Sequence, residues 1–202
     1  MRLYYDHTDD GLGVKKLEVG TFENNVYVLR DVGTNEAYVV DAGYEPEAIA
    51  EAARGLTILG ILITHGHPDH HEHVREVRDL LHAPVGIGAD DAALLPSTDF
   101  TIADGDTFRF GGHEITAIHT PGHTPGSTCL LVGRRLFTGD TLFPGGPGNT
   151  QKDPVRFARI MQSLRQRLFT LPDDTAVCPG HGRDTTLGAE RPHLDEWAAR
   201  GY

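Results

Sequence analysis

Cysteine is scarce: Cys129 and Cys178 are the only two in 202 residues. Two thiols so far apart build no disulfide framework, and both read as small buried hydrophobes. No run of about 18 apolar residues occurs, which excludes a membrane-spanning helix. The opening MRLYYDHTDDGLG lacks the apolar stretch of a secretory signal, so a cytoplasmic address is expected. Basic runs are also missing, and the net charge is -11. Nucleic acid would meet repulsion, not a phosphate-binding stripe. Lysine is rare, at 3 against 15 arginines, a skew that fits a GC-rich genome. No GxSxG string offers a serine nucleophile.

The length suits one sizeable core and is short for two, so one domain over residues 1–202 is expected. Segments 24–31 and 36–43 read as a hairpin about the VGTN turn. PEAIAEAARG (46–55) has a helix start at Pro and a stop at Gly. ILGILIT (58–64) reads as a buried strand. Residues 69–83 read as one helix with Val74, Val77, Leu80 and Leu81 on its inner face. APVGIGA is a short strand, 106–120 a hairpin at Gly111-Gly112, and 127–140 two strands joined at Gly133. Residues 153–171 form the clearest helix, capped by Asp153 with Pro154 in its first turn. A last strand spans 175–182 and a short helix lies near 190–200. Irregular alternation of strands and helices suggests layered sheets covered by helices.

What the chain does have is histidine. THGHPDHHEH, residues 64–73, holds five in ten positions, directly after a strand. Alternate residues of an extended turn can face one side, so His65 and His67 can grip one metal ion. Asp69 and His70 are placed to serve a second. TPGHTPGS puts His123 after another strand, LFTGDTLF does the same for Asp140, and VCPGHG for His181. Each loop offers a ligand-type side chain between glycines or prolines that fix its backbone.

From NNVYVL near residue 24 to PGHG at 179–182, these motifs resemble the metallo-β-lactamase superfamily. The string TPGHTPGS … LFTGDTLF … PGHG is similar to its glyoxalase II-like branch of thioester hydrolases. That resemblance implies an α+β fold, a four-layer αββα sandwich with a two-metal site on one edge. It implies that His65, His67 and His123 hold one ion, that Asp69, His70 and His181 hold the other, and that Asp140 bridges them. It also matches Asp41, in VVDAG, to a usual superfamily aspartate; Asp41 is the candidate partner behind a ligand histidine. The implied cofactors are two divalent ions, zinc first and iron or manganese as alternatives. The implied catalyst is a metal-bridged hydroxide, oriented by Asp69, attacking the carbonyl of a small thiol ester.

Two departures stand out. Only 21 residues follow His181, so the glutathione-binding helical region of two-domain glyoxalase II is expected to be missing. After Asp140 the chain reads GGPGNTQKD, with Asn149 where relatives carry Arg; Lys152 and Arg156 could supply the charge. The thiol and the oligomeric state stay open. Rival readings are a persulfide dioxygenase with one iron on His65, His123 and Asp140, a hydrolase of a lactone, β-lactam or phosphodiester, and a non-catalytic metal module. Structural zinc sites are closed four-ligand sites, which disfavours the last. His71, His73, His7, His113 and His193 are expected on the surface, His82 at a helix C-terminus, and His119 in a structural role.

Overall fold

Apolar residues along the central strands alternate between two covered faces. In the strand Thr57–Ile63, Ile61 and Ile63 pack with Ile49, Val74 and Val77, while Leu62 packs the other way with Tyr27, Phe110 and Phe137. A strand buried on both sides must be apolar almost throughout, which is how this segment reads. The computed structural model describes the backbone of residues 2–201 and the side chains of residues 7–201.

The first sheet has seven strands in chain order: β1 (Arg2–Asp9), β2 (Leu12–Val19), β3 (Asn24–Asp31), β4 (Glu36–Val40), β5 (Thr57–Ile63), β6 (Val85–Gly88) and β7 (Phe100–Ile102). It is antiparallel as far as β4 and parallel from β4 to β7. The second sheet is built from β8 (Thr107–Phe110), β9 (His113–His119), β10 (Thr128–Val132) and β11 (Arg135–Gly139). After a small ribbon of β12 (Leu142–Phe143) and β13 (Gly146–Pro147), it is completed by β14 (Ala176–Pro179) and β15 (Thr185–Thr186). Its order is β15-β14-β11-β10-β9-β8.

The sheets stack face to face. Val14, Tyr27, Leu29 and Leu62 from the first meet Ile115, Leu130, Phe137 and Cys178 from the second. Helices α1 (Pro46–Ala52) and α3 (Val74–Leu81) cover the outer face of the first sheet through Ile49, Val74 and Val77. The outer face of the second is covered by Leu164, Leu168, Leu187 and Trp197. The result is the αββα sandwich expected from the resemblance. Both cysteines are buried and no disulfide joins them.

Several local expectations are corrected. The helix expected over 69–83 is two helices, α2 (Pro68–His71) and α3, with a break at 72–73. The His73 amide donates to Gly43 O, and Asp69 O accepts from Asn24 Nδ2. The hydrogen bond that would join the two helices is therefore spent on the neighbouring loops. Within α3, Val74 and Val77 face inward, while Leu80, expected on the same face, is exposed. The helix over 153–171 is α4 (Pro154–Ser163) followed by a π-helical turn, Leu164–Leu168; Asp153 caps it as expected, accepting from the amides of Val155 and Arg156. The C-terminal segment is α5 (Leu187–Glu190), a 3-10 turn (Arg191–His193) and α6 (Leu194–Arg200). The first two strands were not foreseen from the sequence.

Candidate metal centre

Five strand ends meet at one edge of the sandwich. Asp41 follows β4, and Thr64 and His65 follow β5. His123 lies beyond β9, Asp140 follows β11, and His181 lies just beyond β14. The parallel pairs β4–β5 and β11–β14 bring their C-terminal ends to the same side. The edge is closed between sheets by bonds from Asn25 N to Gly180 O and from Thr128 N to Thr64 O.

All seven residues singled out in the sequence converge there. His67 Nδ1 lies 3.1 Å from His65 Nε2 and 2.8 Å from His123 Nε2. The Nε2 atoms of His70 and His181 are 3.2 Å apart. Asp69 Oδ2 sits 3.3 Å from His181 Nε2 and 3.7 Å from His70 Nε2. Asp140 stands between the groups, with Oδ1 3.4 Å from His70 Nε2 and Oδ2 3.5 Å from His123 Nε2. Ligand atoms of His65, His67 and His123 lie within 4.8 Å of one another, as do those of Asp69, His70 and His181, and those of His65, His70 and Asp140.

The outer hydrogen bonds decide what these nitrogens offer. His123 Nδ1 donates to Asn149 O at 2.8 Å and His181 Nδ1 to Phe22 O at 2.8 Å. His70 Nδ1 donates to Asp41 Oδ2 at 2.9 Å. Thr64 gives its hydroxyl proton to the same Asp41 oxygen, so at 3.2 Å Thr64 Oγ1 accepts from His65 Nδ1. Four rings thus carry a proton on the outer nitrogen and aim the other at a shared centre. Asp41 is the candidate partner named from the sequence, and it supports two of the expected ligand rings, His70 directly and His65 through Thr64.

Facing lone pairs repel, and nearby Asp140 Oδ1 is buried without a hydrogen-bond partner. Donors of this type, with outer oxygens already fixing the rings, fit divalent cations well. Burial keeps His65 and His123 neutral, with His123 pushed down to about 4 although Asp140 opposes the shift. Burial also works against a charge on His70, but the carboxylates of Asp140 and Asp41 raise its pKa well above the usual imidazole range, so a cation at this centre would take the place of a second ring proton on Nε2.

Glycine makes the convergence possible. A Cβ on Gly180 would lie 2.4 Å from Asp140 Oδ1 and 2.6 Å from His70 Cε1, so no larger residue fits.

A model of the metallo-beta-lactamase superfamily matches residues 19–181. The chain belongs to that superfamily. Its members are mostly metal-dependent hydrolases, and they bind divalent metals. An uncharacterised protein of Aquifex aeolicus is 34% identical over 197 residues, covering 88% of this chain and 93% of its own. A hydroxyacylglutathione hydrolase of Rhizobium etli is 37% identical over 176 residues, covering 83% of this chain and 67% of its own. Among solved structures, the BLEG-1 B3 metallo-beta-lactamase superposes with TM-score 0.82 at 29% identity, over 90% of this chain and 97% of its own. ETHE1 from Myxococcus xanthus also gives 0.82 at 29% identity, over 92% and 84%.

The other histidines divide. His71, expected at the surface, is buried, with Nε2 3.3 Å from Gly66 O. His113 is half-buried beside Asp31, 3.4 Å from Oδ2. His119 Nε2 donates to Pro125 O at 2.9 Å, a structural contact. His7 and His193 are exposed, and His82 ends α3 in the left-handed conformation. Arg156, a candidate replacement for the charge missing at 149, is committed to the backbone: Nη2 donates to His123 O and Nε to Gly122 O. Asn24 was missed: its Nδ2 donates to both Asp69 O and Asp69 Oδ2 at 3.0 Å. No sequence signal marks it beyond its place at the start of β3.

Proposed function

We propose that this chain is a two-metal hydrolase of a small thiol ester, most similar in chemistry to hydroxyacylglutathione hydrolase. The observation that carries the proposal is the four-ring convergence, with each outer nitrogen donated to an oxygen. His65, His67 and His123 hold one ion. Asp69, His70 and His181 hold the other, and Asp140 reaches both. Two zinc ions bound here would supply a hydroxide at neutral pH and polarise the substrate carbonyl.

Asn24 fixes the Asp69 carboxylate through Oδ2, and a carboxylate held this way would orient a water activated by the bound ions. Four of the five imidazoles are committed at both ring nitrogens, so little acid assistance remains for a leaving group. A thiolate needs the least, which favours a thioester over a β-lactam or phosphodiester. A single iron on His65, His123 and Asp140 would leave His67, Asp69, His70 and His181 facing one another with no cation between them. That supports the two-metal reading over the dioxygenase. The similarity to hydroxyacylglutathione hydrolases supports the substrate class.

The test is a panel of 2-hydroxyacyl thioesters of several low-molecular-weight thiols, with thiol release followed on zinc-loaded protein. Turnover of at least one thioester well above that of lactones and β-lactams is expected. Lactone or β-lactam turnover with inert thioesters would overturn the proposal.

A further inference from the structure

Asp91 lies on a 3-10 turn, Ala89–Leu94, that follows β6. It is completely buried, yet no cation neutralises it among the described contacts. Three donors serve it instead. Oδ2 accepts from Gly66 N at 2.8 Å and from Thr124 Oγ1 at 2.5 Å, and Oδ1 accepts from Gly126 N at 2.8 Å. Gly66 separates His65 from His67, and Thr124 follows His123. One carboxylate therefore clamps together the two loops that carry one of the two ligand triplets.

The clamp extends one residue further. Thr124 gives its hydroxyl proton to Asp91, so at 2.7 Å Ser127 Oγ donates to Thr124 Oγ1; Ser127 Oγ in turn accepts from Thr124 N at 3.0 Å. Space is tight: a Cβ on Gly126 would lie 2.6 Å from Asp91 Cγ. The other triplet does not touch Asp91; it is held by Asn24, Asp41 and Phe22 O, of which Asp41 also reaches His65 through Thr64. Burying a carboxylate costs free energy that an apolar side chain would avoid. The structure places that cost where two ligand loops must be kept in register.

We infer that Asp91 is a positioning residue for the His65–His67–His123 half of the centre, a role that rests on the two-metal reading. It touches no ligand ring and acts through the Gly66 and Gly126 amides and the Thr124 hydroxyl.

The test compares wild type with Asp91→Asn and, as a milder variant that keeps the carboxylate, Thr124→Val. Hydrogen exchange on metal-free protein is read over residues 64–68, 122–128 and 179–184. An unsatisfied buried donor should speed exchange in the first two segments by about tenfold and leave the third unchanged. Zinc titration against a chelator should show one site weakened by about 10- to 100-fold and the other little changed. If Asp91→Asn does not fold, Thr124→Val must show the same asymmetry at smaller amplitude. Equal acceleration in all three segments, equal weakening of both sites, or no change would overturn the inference. Wild type that binds fewer than two zinc ions would instead sink the two-metal reading, and the exchange pattern would still decide the role of Asp91.

Discussion

His70 Nδ1 and Asp41 Oδ2 lie 2.9 Å apart, with both side chains almost wholly out of solvent. Asp41 also accepts from Thr64 N at 2.8 Å, and it holds this geometry with a backbone φ of 63°. A buried acceptor behind a ligand imidazole fixes the tautomer and raises its basicity. Asp41→Asn should therefore weaken metal binding by about 10- to 100-fold. Chelator competition measures this, and the loss should fall on both ions, because Asp41 serves His70 directly and His65 through Thr64.

The loop carrying His181 is gripped from the first sheet. Lys16, buried in β2, donates to Gly182 O at 2.7 Å and to Asp184 Oδ1 at 2.5 Å. Asn25 Nδ2 donates to Pro179 O at 2.8 Å and Tyr27 OH to the same oxygen at 2.7 Å. Lys16→Met should destabilise the protein by about 1–3 kcal/mol, since Asp184 and Gly182 O lose a donor. Urea unfolding of the metal-free protein reads this directly.

His71 departs from its sequence-based expectation, and the substitution outcome changes with it. A surface ring could be removed freely. The buried ring cannot, and His71→Ala should cost about 1–3 kcal/mol by opening a cavity and removing the partner of Gly66 O. Thermal unfolding with and without zinc would show the loss in both states.

Acid stability should depend on Asp31. The amides of Gly112 and Thr34 hold its carboxyl down at about 2, with further help from the Thr34 hydroxyl and Gly33 N. A folded-state pKa below the unfolded value gives stability that is present above about pH 4 and lost as pH falls towards 2. Asp31→Asn should remove that contribution, so wild type and variant should converge in stability near pH 2 and separate above pH 4. Parallel curves across this window would contradict the assignment.

The site was more legible in the sequence than the elements around it. Its seven ligand-type residues stand at strand ends between glycines and prolines, and strand ends can be read from apolar runs such as ILGILIT. The groups that hold them could not be read. Asp91, Asn24 and Lys16 act across 25, 45 and about 166 residues of chain, and their sequence neighbours give no hint of it. β1 and β2 were invisible for a related reason. Lys15 and Lys16 break the apolar alternation, and only the tertiary structure shows Lys16 buried against the His181 loop. The break between α2 and α3 likewise comes from Gly43 O and Asn24, which compete for helix hydrogen bonds from distant positions.

The central claim is that two cations bind between His65, His67, Asp69, His70, His123, Asp140 and His181. Metal content per chain, measured on protein purified without added metal or a metal-binding tag, tests it most directly. Close to two divalent ions per chain, falling to one or none in Asp140→Ala, is the predicted result. One iron per chain and little else, or full metal content retained in Asp140→Ala, would contradict it.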